Sequence, residues 1–255
     1  MTQDEAKRLV AKRAAELVED GTVVGLGTGT TATLFIRELA ARKLNIRCVA
    51  SSDASHELAV SLGMHVRTLA ELPELDVYID GADEVCCAAG AHAGLDLIKG
   101  GGGALLREKI VASAAREFIV VADATKLVKM LGKFPLPVEI IQMALPLVAP
   151  KLAALGFTPK LRMKKGIPQG LKPLTPSSAG RPEAKASGYL EANPEPFVTD
   201  EGNYILDCWS TGIPDPETTA AEIRSIVGVV EHGLFLGMAT LALVAGEDGV
   251  REYRA

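Results

Sequence analysis

The sequence predicts an α/β fold: a Rossmann-like, mostly parallel sheet with helices on both faces, plus a smaller α+β domain. Three observations indicate this fold class. First, short apolar strands alternate with helical segments up to Lys126. Second, glycines, hydroxyl residues and carboxylates follow the ends of these strands. Third, the alternation stops after Lys126. Ligands of open parallel sheets bind outside the carboxyl ends of the strands. We therefore expect the functional residues to lie along one rim of the sheet.

The first half of the chain supplies the elements of this sheet. Thr2 and Glu5 match a capping box, and apolar residues recur at helical spacing towards Gly21, which predicts a first helix. Strands are predicted at 22–26, 46–50, 64–69, 76–80 and 117–123, and further helices at 27–39, 51–63 and 104–116. Four segments then fall on the rim: 27–31, 51–53, 80–84 and 123–126.

The second half of the chain has the pattern of an α+β unit. It predicts an extended segment at 132–140, a helix at 145–156, a hairpin at 197–209, a helix at 216–227, a strand at 228–235 and a hairpin at 242–253. We place the Rossmann-like domain at residues 1–131, completed by about 232–255, and the smaller domain at 132–231. Residues from about 164 to 196 contain six prolines and are predicted to form an exposed insertion.

Composition narrows the class of protein. The chain has 255 residues, 48% of them hydrophobic, and a formal net charge of −5, which argues against nucleic-acid binding through a basic surface. Its four cysteines show no C-x-x-C spacing, so we expect reduced thiols in a cytoplasmic protein. The apolar runs are too short to span a membrane and the N-terminus is charged, so we expect no membrane partner. Earlier removal of a transit peptide is an alternative that the sequence leaves open.

The stretch from Lys99 to Gly103 predicts an anion site. Four consecutive glycines lead directly into a helix, whose first N–H groups and dipole favour negative charge, and Lys99 adds a full positive charge. The alternative is a tight turn ahead of a surface helix.

Glu108 is the candidate general base. Its neighbours one helical turn away on either side are all apolar: Ala104, Leu105, Val111 and Ala112. Desolvation there would raise its pKa towards roughly 6 to 7, which suits a general base. The alternative is a carboxylate that complements the helix N-terminus. Such a carboxylate would lie on the solvent-facing side of the helix. We assign that side to Arg107, Lys109 and Arg116.

The loop GLGTGTT after the first strand is the candidate phosphate site. It lacks the G-x-G-x-x-G pattern of a dinucleotide loop and the GK[ST] of a P-loop. Its remaining features are the hydroxyls of Thr28, Thr30 and Thr31 beside bare N–H groups, which suit a terminal phosphate. A merely capped helix start is the alternative. Lys126 could supply a second cation, or be an ordinary surface lysine.

DGADE places two carboxylates, Asp80 and Asp83, at a strand end. They could bind sugar hydroxyls or move protons between oxygens. Capping of the turn and divalent-metal binding are the alternatives. Metal binding is the weaker of these two, since no histidine or third carboxylate is spaced to join them.

Six motifs together resemble the ribose-5-phosphate isomerases of type A in order and spacing. They are GLGTGTTATLFI, SSDASHELAVSLG, DVYIDGADE, LIKGGGGALLREKIVA, FIVVADATK and LGKFPLPVEI. The resemblance spans nearly the whole chain except the proline-rich insertion. It implies a homodimeric or homotetrameric enzyme that interconverts ribose 5-phosphate and ribulose 5-phosphate through an enediolate, in the non-oxidative branch of the pentose phosphate pathway, without metal or other cofactor.

The resemblance also implies a role for each matching residue. Glu108 would move a proton between C1 and C2, Lys99 and the glycine amides would stabilise the oxyanion, and Asp80 and Asp83 would hold hydroxyls and assist ring opening. The implied substrate-binding residues are Thr28, Gly29, Thr30, Thr31, Asp80, Gly81, Ala82, Asp83, Lys99, Gly100, Gly101, Gly102 and Lys126.

Departures from the family pattern are modest. Thr30 and Thr125 stand where serine is usual, the loop at 86–96 is longer than in compact members, and the proline-rich insertion is unusual. Two other classes of function remain alternatives: a sugar-phosphate-binding regulator, and a coenzyme A transferase that uses Glu108 as a nucleophile.

Overall fold

A computed structural model describes residues 1–88, 94–164 and 195–255. The predicted insertion lies outside these residues except for its ends. The helices are α1 (Gln3–Glu16), α2 (Thr30–Ala41), α3 (Asp53–Ser61), α4 (Leu105–Ser113), α5 (Leu145–Ala154) and α6 (Pro216–Arg224). The strands are β1 (Val23–Leu26), β2 (Arg47–Ala50), β3 (His65–Val66), β4 (Leu75–Gly81), β5 (Glu84–Ala88), β6 (Gly94–Ile98), β7 (Ala115–Asp123), β8 (Leu127–Val128), β9 (Leu136–Ile140), β10 (Thr158–Leu161), β11 (Tyr204–Trp209), β12 (Val229–His232), β13 (Leu234–Ala239), β14 (Leu241–Gly246) and β15 (Gly249–Arg254).

The central sheet has seven strands in the order β15-β14-β7-β4-β1-β2-β3. Every pair is parallel except β14 with β15, which form the predicted C-terminal hairpin. Burial of β1 on both faces explains its continuous apolar sequence. From β1 the chain first adds β2 and β3 on one side and then returns to add β4 on the other side. Ligands of such sheets bind in the crevice at this switch point, between the carboxyl ends of β1 and β4.

Helices cover both faces of this sheet, which confirms the predicted fold class. Apolar residues of α1, α2 and α3 form one core with the sheet, and Val111 and Ala112 of α4 belong to the core on the other face. Local sequence explains the helix starts: the capping box of Thr2 and Glu5 forms as predicted, and Ser52 caps α3 through its bond with the Ser55 amide.

Two four-stranded sheets complete the fold. One, in the order β10-β11-β9-β12, packs with α5 and α6 around a third core. The other, in the order β13-β6-β5-β8, lies with α4 over the central sheet, and we did not predict it. Its strands β5 and β6 pair antiparallel within the segment that we expected to be a loop at 86–96. The proposed division into domains at residues 131 and 232 stays a prediction.

Two predicted boundaries were wrong. The helix at 104–116 ends at Ser113, and Arg116 lies in β7, because the parallel pairing of β7 with β4 already begins at Ala115. The strand at 228–235 divides at Gly233 into β12 and β13, which belong to different sheets. A Cβ atom at Gly233 would lie 2.2 Å from the Lys99 carbonyl oxygen, so the chain changes sheets where a side chain cannot fit.

The hairpin predicted at 197–209 is also wrong. Only Tyr204–Trp209 forms a strand, and it pairs with β9 and β10. The apolar alternation was detected correctly, but the pairing partners are distant in sequence. Among the described helices, none is long and apolar enough to cross a membrane.

Candidate active site

A cavity of about 250 Å³ opens at the switch point of the central sheet. The loop after β1 and the loop after β4 form two of its walls, and the glycine stretch ahead of α4 forms a third. It is lined by Lys7, Thr28, Gly29, Thr30, Thr31, Gly81, Ala82, Asp83, Lys99, Gly100, Gly102, Glu108 and Lys126. Separate predicted motifs therefore meet at one place.

Three buried charged groups lie together beside the cavity, and two of them, Lys99 and Glu108, line it. Lys99 Nζ lies 2.8 Å from Asp80 Oδ2 and 3.2 Å from Glu108 Oε2, and all three side chains are at most 4% exposed. The Glu108 Oε2 atom accepts no hydrogen bond from the part of the chain that the structure describes. Glu108 therefore has Lys99 as an ionic partner, but its oxygens can still accept hydrogen bonds from a ligand.

Burial controls the titration of this group. It raises the pKa of the Glu108 carboxyl to about 8, against the opposing effect of the Lys99 charge. Burial alone would lower the pKa of Lys99, but the charges of Asp80 and Glu108 outweigh it and raise that pKa. Burial thus raises the pKa of Glu108, which is the direction that the sequence predicts.

Asp80 is enclosed by four donors. Its Oδ1 accepts the amides of Thr28 at 2.9 Å and Gly81 at 2.7 Å, and its Oδ2 accepts the Tyr78 hydroxyl and the Lys99 ammonium. It is fully buried and lies behind the cavity wall, whereas Asp83 lines the cavity. The two carboxylates of DGADE are therefore in different environments.

The glycine stretch folds as a tight loop. Gly100 and Gly103 have φ of +104° and +92°, which other residues rarely adopt. The Gly101 amide donates to Asp83 Oδ2 at 2.7 Å. Within the described residues, the amides of Gly100 and Gly102 donate to no protein acceptor, and both residues line the cavity. These two amides are the ones available to an anion.

The threonine loop forms another part of the cavity lining. Gly29, with φ of +100°, immediately precedes α2, whose first amides have no intrahelical partner. The Thr28 hydroxyl lies 3.0 Å from Ser51 Oγ and 2.9 Å from Ser52 Oγ, which explains why the serines after β2 fall on the same rim. Lys126 reaches the cavity from the short helical turn after β7.

The structure adds Lys7 to the predicted set and separates two residues from it. Lys7 lines the cavity because α1 packs over the sheet and Gln3, one helical turn earlier, donates to Asp123 Oδ2 at 3.2 Å. No local sequence signal distinguishes Lys7 from the other cations of that helix. Asp80 and Gly101 do not line the cavity; they support residues that do.

One solvent-facing assignment was wrong. Lys109 is 8% exposed, and its ammonium donates to the carbonyls of His232 and Leu234 and pairs with Glu231. These partners come from strands more than 120 residues away, so helical spacing alone could not reveal them. Among the described side chains, no three His, Cys, Asp or Glu residues are grouped to hold a metal ion.

Fold and site together define the class of α/β proteins that bind a small anionic molecule at the switch point of a parallel sheet. Comparison with known proteins gives the family. The model of ribose 5-phosphate isomerase A (phosphoriboisomerase A) matches residues 47–249, and the chain belongs to this family.

Relatives agree along the whole length of the chain. Ribose-5-phosphate isomerase A of Roseiflexus castenholzii is 44% identical over 96% of this chain and 94% of its own. The solved structure of the Methanocaldococcus jannaschii enzyme has a TM-score of 0.82 and 36% identity, covering all of both chains. A D-ribose-5-phosphate isomerase in complex with phospho-erythronic acid has a TM-score of 0.84 and 32% identity, also over both full lengths.

A second family model matches a smaller part of the chain. The DeoR C terminal sensor domain matches residues 2–66, which contain α1 and the threonine loop. This segment ends well before Asp80, Lys99 and Glu108. The similarity therefore concerns the Lys7 and threonine-loop part of the cavity alone.

The raised pKa of Glu108 predicts a pH-dependent stability. Its folded pKa of about 8 exceeds the unfolded value near 4.5, so its contribution is fully present below about pH 4.5 and is lost as pH rises through about 8. We expect Glu108→Gln to gain stability relative to the wild type between pH 5 and 8. The slope should not exceed about 1.4 kcal/mol per pH unit. Urea unfolding of both proteins at several pH values measures it, and a constant difference would contradict the assignment.

Proposed function

We propose that this chain interconverts D-ribose 5-phosphate and D-ribulose 5-phosphate, with the residues of the cavity in the roles described below. One observation carries the proposal. A single cavity is lined by the threonine loop with two cations, and also by a buried carboxylate beside an ammonium and two glycines whose amides are unpaired among the described residues. Such a cavity matches a short substrate with a terminal phosphate and a carbonyl at its far end.

Glu108 is the proton carrier in this proposal. In the aldose-to-ketose direction its carboxylate takes the C2 proton, the C1 carbonyl oxygen gains the negative charge, and a C1–C2 enediolate forms. Return of the proton to C1, with transfer of the O2 proton to O1, yields the ketose. Atoms and electrons balance within the sugar, so this step needs no redox partner. A pKa near neutrality lets one carboxylate both take and return the proton.

Lys99 and the free glycine amides stabilise the developing charge. Lys99 lies against Glu108, and Gly100 and Gly102 line the cavity with N–H groups that have no acceptor among the described residues. Donors fixed in advance within a water-poor site usually make the largest contribution to such catalysis. Gly101 contributes through its bond to Asp83, which holds the loop in shape.

Asp80 and Asp83 have different roles in this proposal because their environments differ. Asp83 lines the cavity beside Gly81 and Ala82, so it holds substrate hydroxyls and assists ring opening. Asp80 is saturated with donors, so its part is to hold Lys99 and the Thr28 amide in place. The phosphate is bound by the amides and hydroxyls from Thr28 to Thr31, Gly29 included, with Lys126 and Lys7.

Two alternatives make different predictions. A regulator that only senses sugar phosphates is supported by the match at residues 2–66, and it would bind ribose 5-phosphate without converting it. A coenzyme A transferase would form a covalent adduct at Glu108 during incubation with an acyl-CoA, which mass spectrometry detects. The isomerase proposal requires turnover and no adduct.

Glu108→Gln tests the proton carrier. The amide keeps the shape of the side chain but cannot accept the C2 proton, so we expect kcat to fall roughly 10²- to 10⁴-fold. A coupled assay of ribulose 5-phosphate formation, run with and without a chelator, measures it. The exposed Glu117→Gln variant is the matched control. Full activity of Glu108→Gln would refute the mechanism, and loss of wild-type activity with chelator would refute the metal-free expectation.

Lys7→Met tests the phosphate end. Because Lys7 would bind the phosphate, which does not change charge during the reaction, we expect KM to rise about tenfold with a smaller effect on kcat. Lys12→Met, an exposed substitution on the same helix, is the control. Initial rates over a range of ribose 5-phosphate concentrations separate the two constants. An unchanged KM would remove Lys7 from the site.

We also propose a homodimer or homotetramer. Four large apolar side chains on neighbouring segments are exposed: Ile141, Met143, Leu147 and Val227, the last by 76%. The Ile141 amide bonds to the Gly228 carbonyl, which brings two of these segments together. Exposed apolar clusters commonly mark subunit interfaces. Sedimentation equilibrium should give a multiple of the chain mass that Val227→Lys lowers, and a monomeric wild type would refute this proposal.

A cytoplasmic location is proposed from the cysteines. All four are unpaired thiols, and burial raises the pKa of Cys48 and Cys208 to about 12. Free thiols persist in reducing compartments. Fractionation of cells that express the tagged chain tests this location.

A further inference from the structure

The glycine loop has a second side that faces away from Glu108. A cavity of about 610 Å³ lies there, lined by Gly101 and Gly102 and by residues of β10 and β11. The loop is therefore a thin wall between this cavity and the one that contains Glu108. Glycines carry no side chains to fix their orientation, so contacts from neighbouring groups must do so, and one of these groups lies behind the wall.

Arg162 supplies such a group. Its Nη1 atom donates to the Gly100 carbonyl at 2.8 Å, and Nε donates to Asp207 Oδ2 at 2.9 Å, while Nη2 bonds to the other oxygen of Asp207. The side chain is 13% exposed, and its guanidinium lies 6.0 Å from the centre of the Phe197 ring. A bidentate carboxylate partner and an aromatic face fix the orientation of the planar guanidinium.

Arg162 and Asp83 bind the two ends of the same peptide unit. The carbonyl of Gly100 accepts from Arg162, and the amide of Gly101 donates to Asp83 at 2.7 Å. The Gly103 amide also donates to the Gly100 carbonyl, at 3.0 Å, and Arg162 adds a side-chain restraint to a peptide whose flanking glycines tolerate either sign of φ. Rotation would turn the Gly100 carbonyl oxygen towards the opposite side and misalign the amides next to it.

We propose that Arg162, held by Asp207, is a positioning residue that fixes the Gly100–Gly101 peptide so that the Gly100 and Gly102 amides face the reacting end of the substrate. This inference rests on the proposed isomerase function. Arg162 lies outside the cavity that contains Glu108, and it acts through the loop. Its contribution is therefore to the oxyanion and not to the phosphate.

The experiment compares Arg162→Met with Lys160→Met, an exposed lysine in the wall of the same second cavity. For Arg162→Met we expect kcat to fall at least about tenfold while KM stays within about threefold. Inhibition by phospho-erythronic acid, whose carboxylate places charge at the oxyanion end, should weaken by a similar factor. Inhibition by inorganic phosphate should not change. Lys160→Met should match the wild type in all four measurements.

Two results would overturn the inference. One is a folded Arg162→Met variant with wild-type kcat, and the other is an equal weakening of phospho-erythronic acid and phosphate, which would indicate general disruption. If Arg162→Met does not fold, Asp207→Asn carries the same test, because it removes the partner that orients the guanidinium. Failure of the proposed function is distinguishable: the wild type itself would show no turnover, while direct binding of phospho-erythronic acid, measured by calorimetry, would still report on Arg162.

Discussion

The site depends on the ion pair between the buried Lys99 ammonium and the Asp80 carboxylate. An unpaired charge in the interior costs several kcal/mol, so Lys99 must keep an anionic partner. Asp80 is that partner at 2.8 Å, and the pair is neutral. Glu108, at 3.2 Å from the same ammonium, is then a second carboxylate without a counter-charge of its own. Burial raises its pKa, and the charge of Asp80 adds to this effect while the charge of Lys99 opposes it.

The same lysine limits the backbone around it. The Lys99 amide donates to the Gly233 carbonyl at 2.9 Å, and a Cβ atom at Gly233 would strike the Lys99 carbonyl oxygen. The chain therefore passes from one small sheet to another at the residue that touches Lys99. Phe235, two residues later, lies with its ring centre 5.4 Å from Lys99 Nζ and 4.7 Å from Lys109 Nζ. Both lysines thus gain cation–π contacts in a place that water does not solvate.

Local sequence was sufficient for the elements and for the groups that follow strand ends. The burial of Glu108 was predictable because residues one helical turn away contact it directly, and the rim segments were predictable because parallel strands end on one side. What could not be predicted depends on distant packing. Lys7, Arg162 and the partners of Lys109 reach their positions through contacts that span 60 to more than 120 residues. In the sheet of β13, β6, β5 and β8, the pairing of β13 with β6 is also distant in sequence. Strands β5 and β6 are close in sequence and were missed because residues 86–96 contain no β-branched residue.

Asp80 explains why the two parts of the cavity lining form one site. Its Oδ2 accepts from Lys99 beside Glu108, while its Oδ1 accepts the Thr28 amide of the threonine loop at 2.9 Å. A Cβ atom at Gly27 would lie 2.2 Å from that same oxygen, so the loop approaches Asp80 as closely as glycine permits. A carboxylate that cannot move without breaking four hydrogen bonds sets the distance between the loop and the ammonium. The spacing between the threonine loop and Lys99 is therefore fixed by the protein itself, which is the condition that the proposed placement of C1 and C2 beside Glu108 requires.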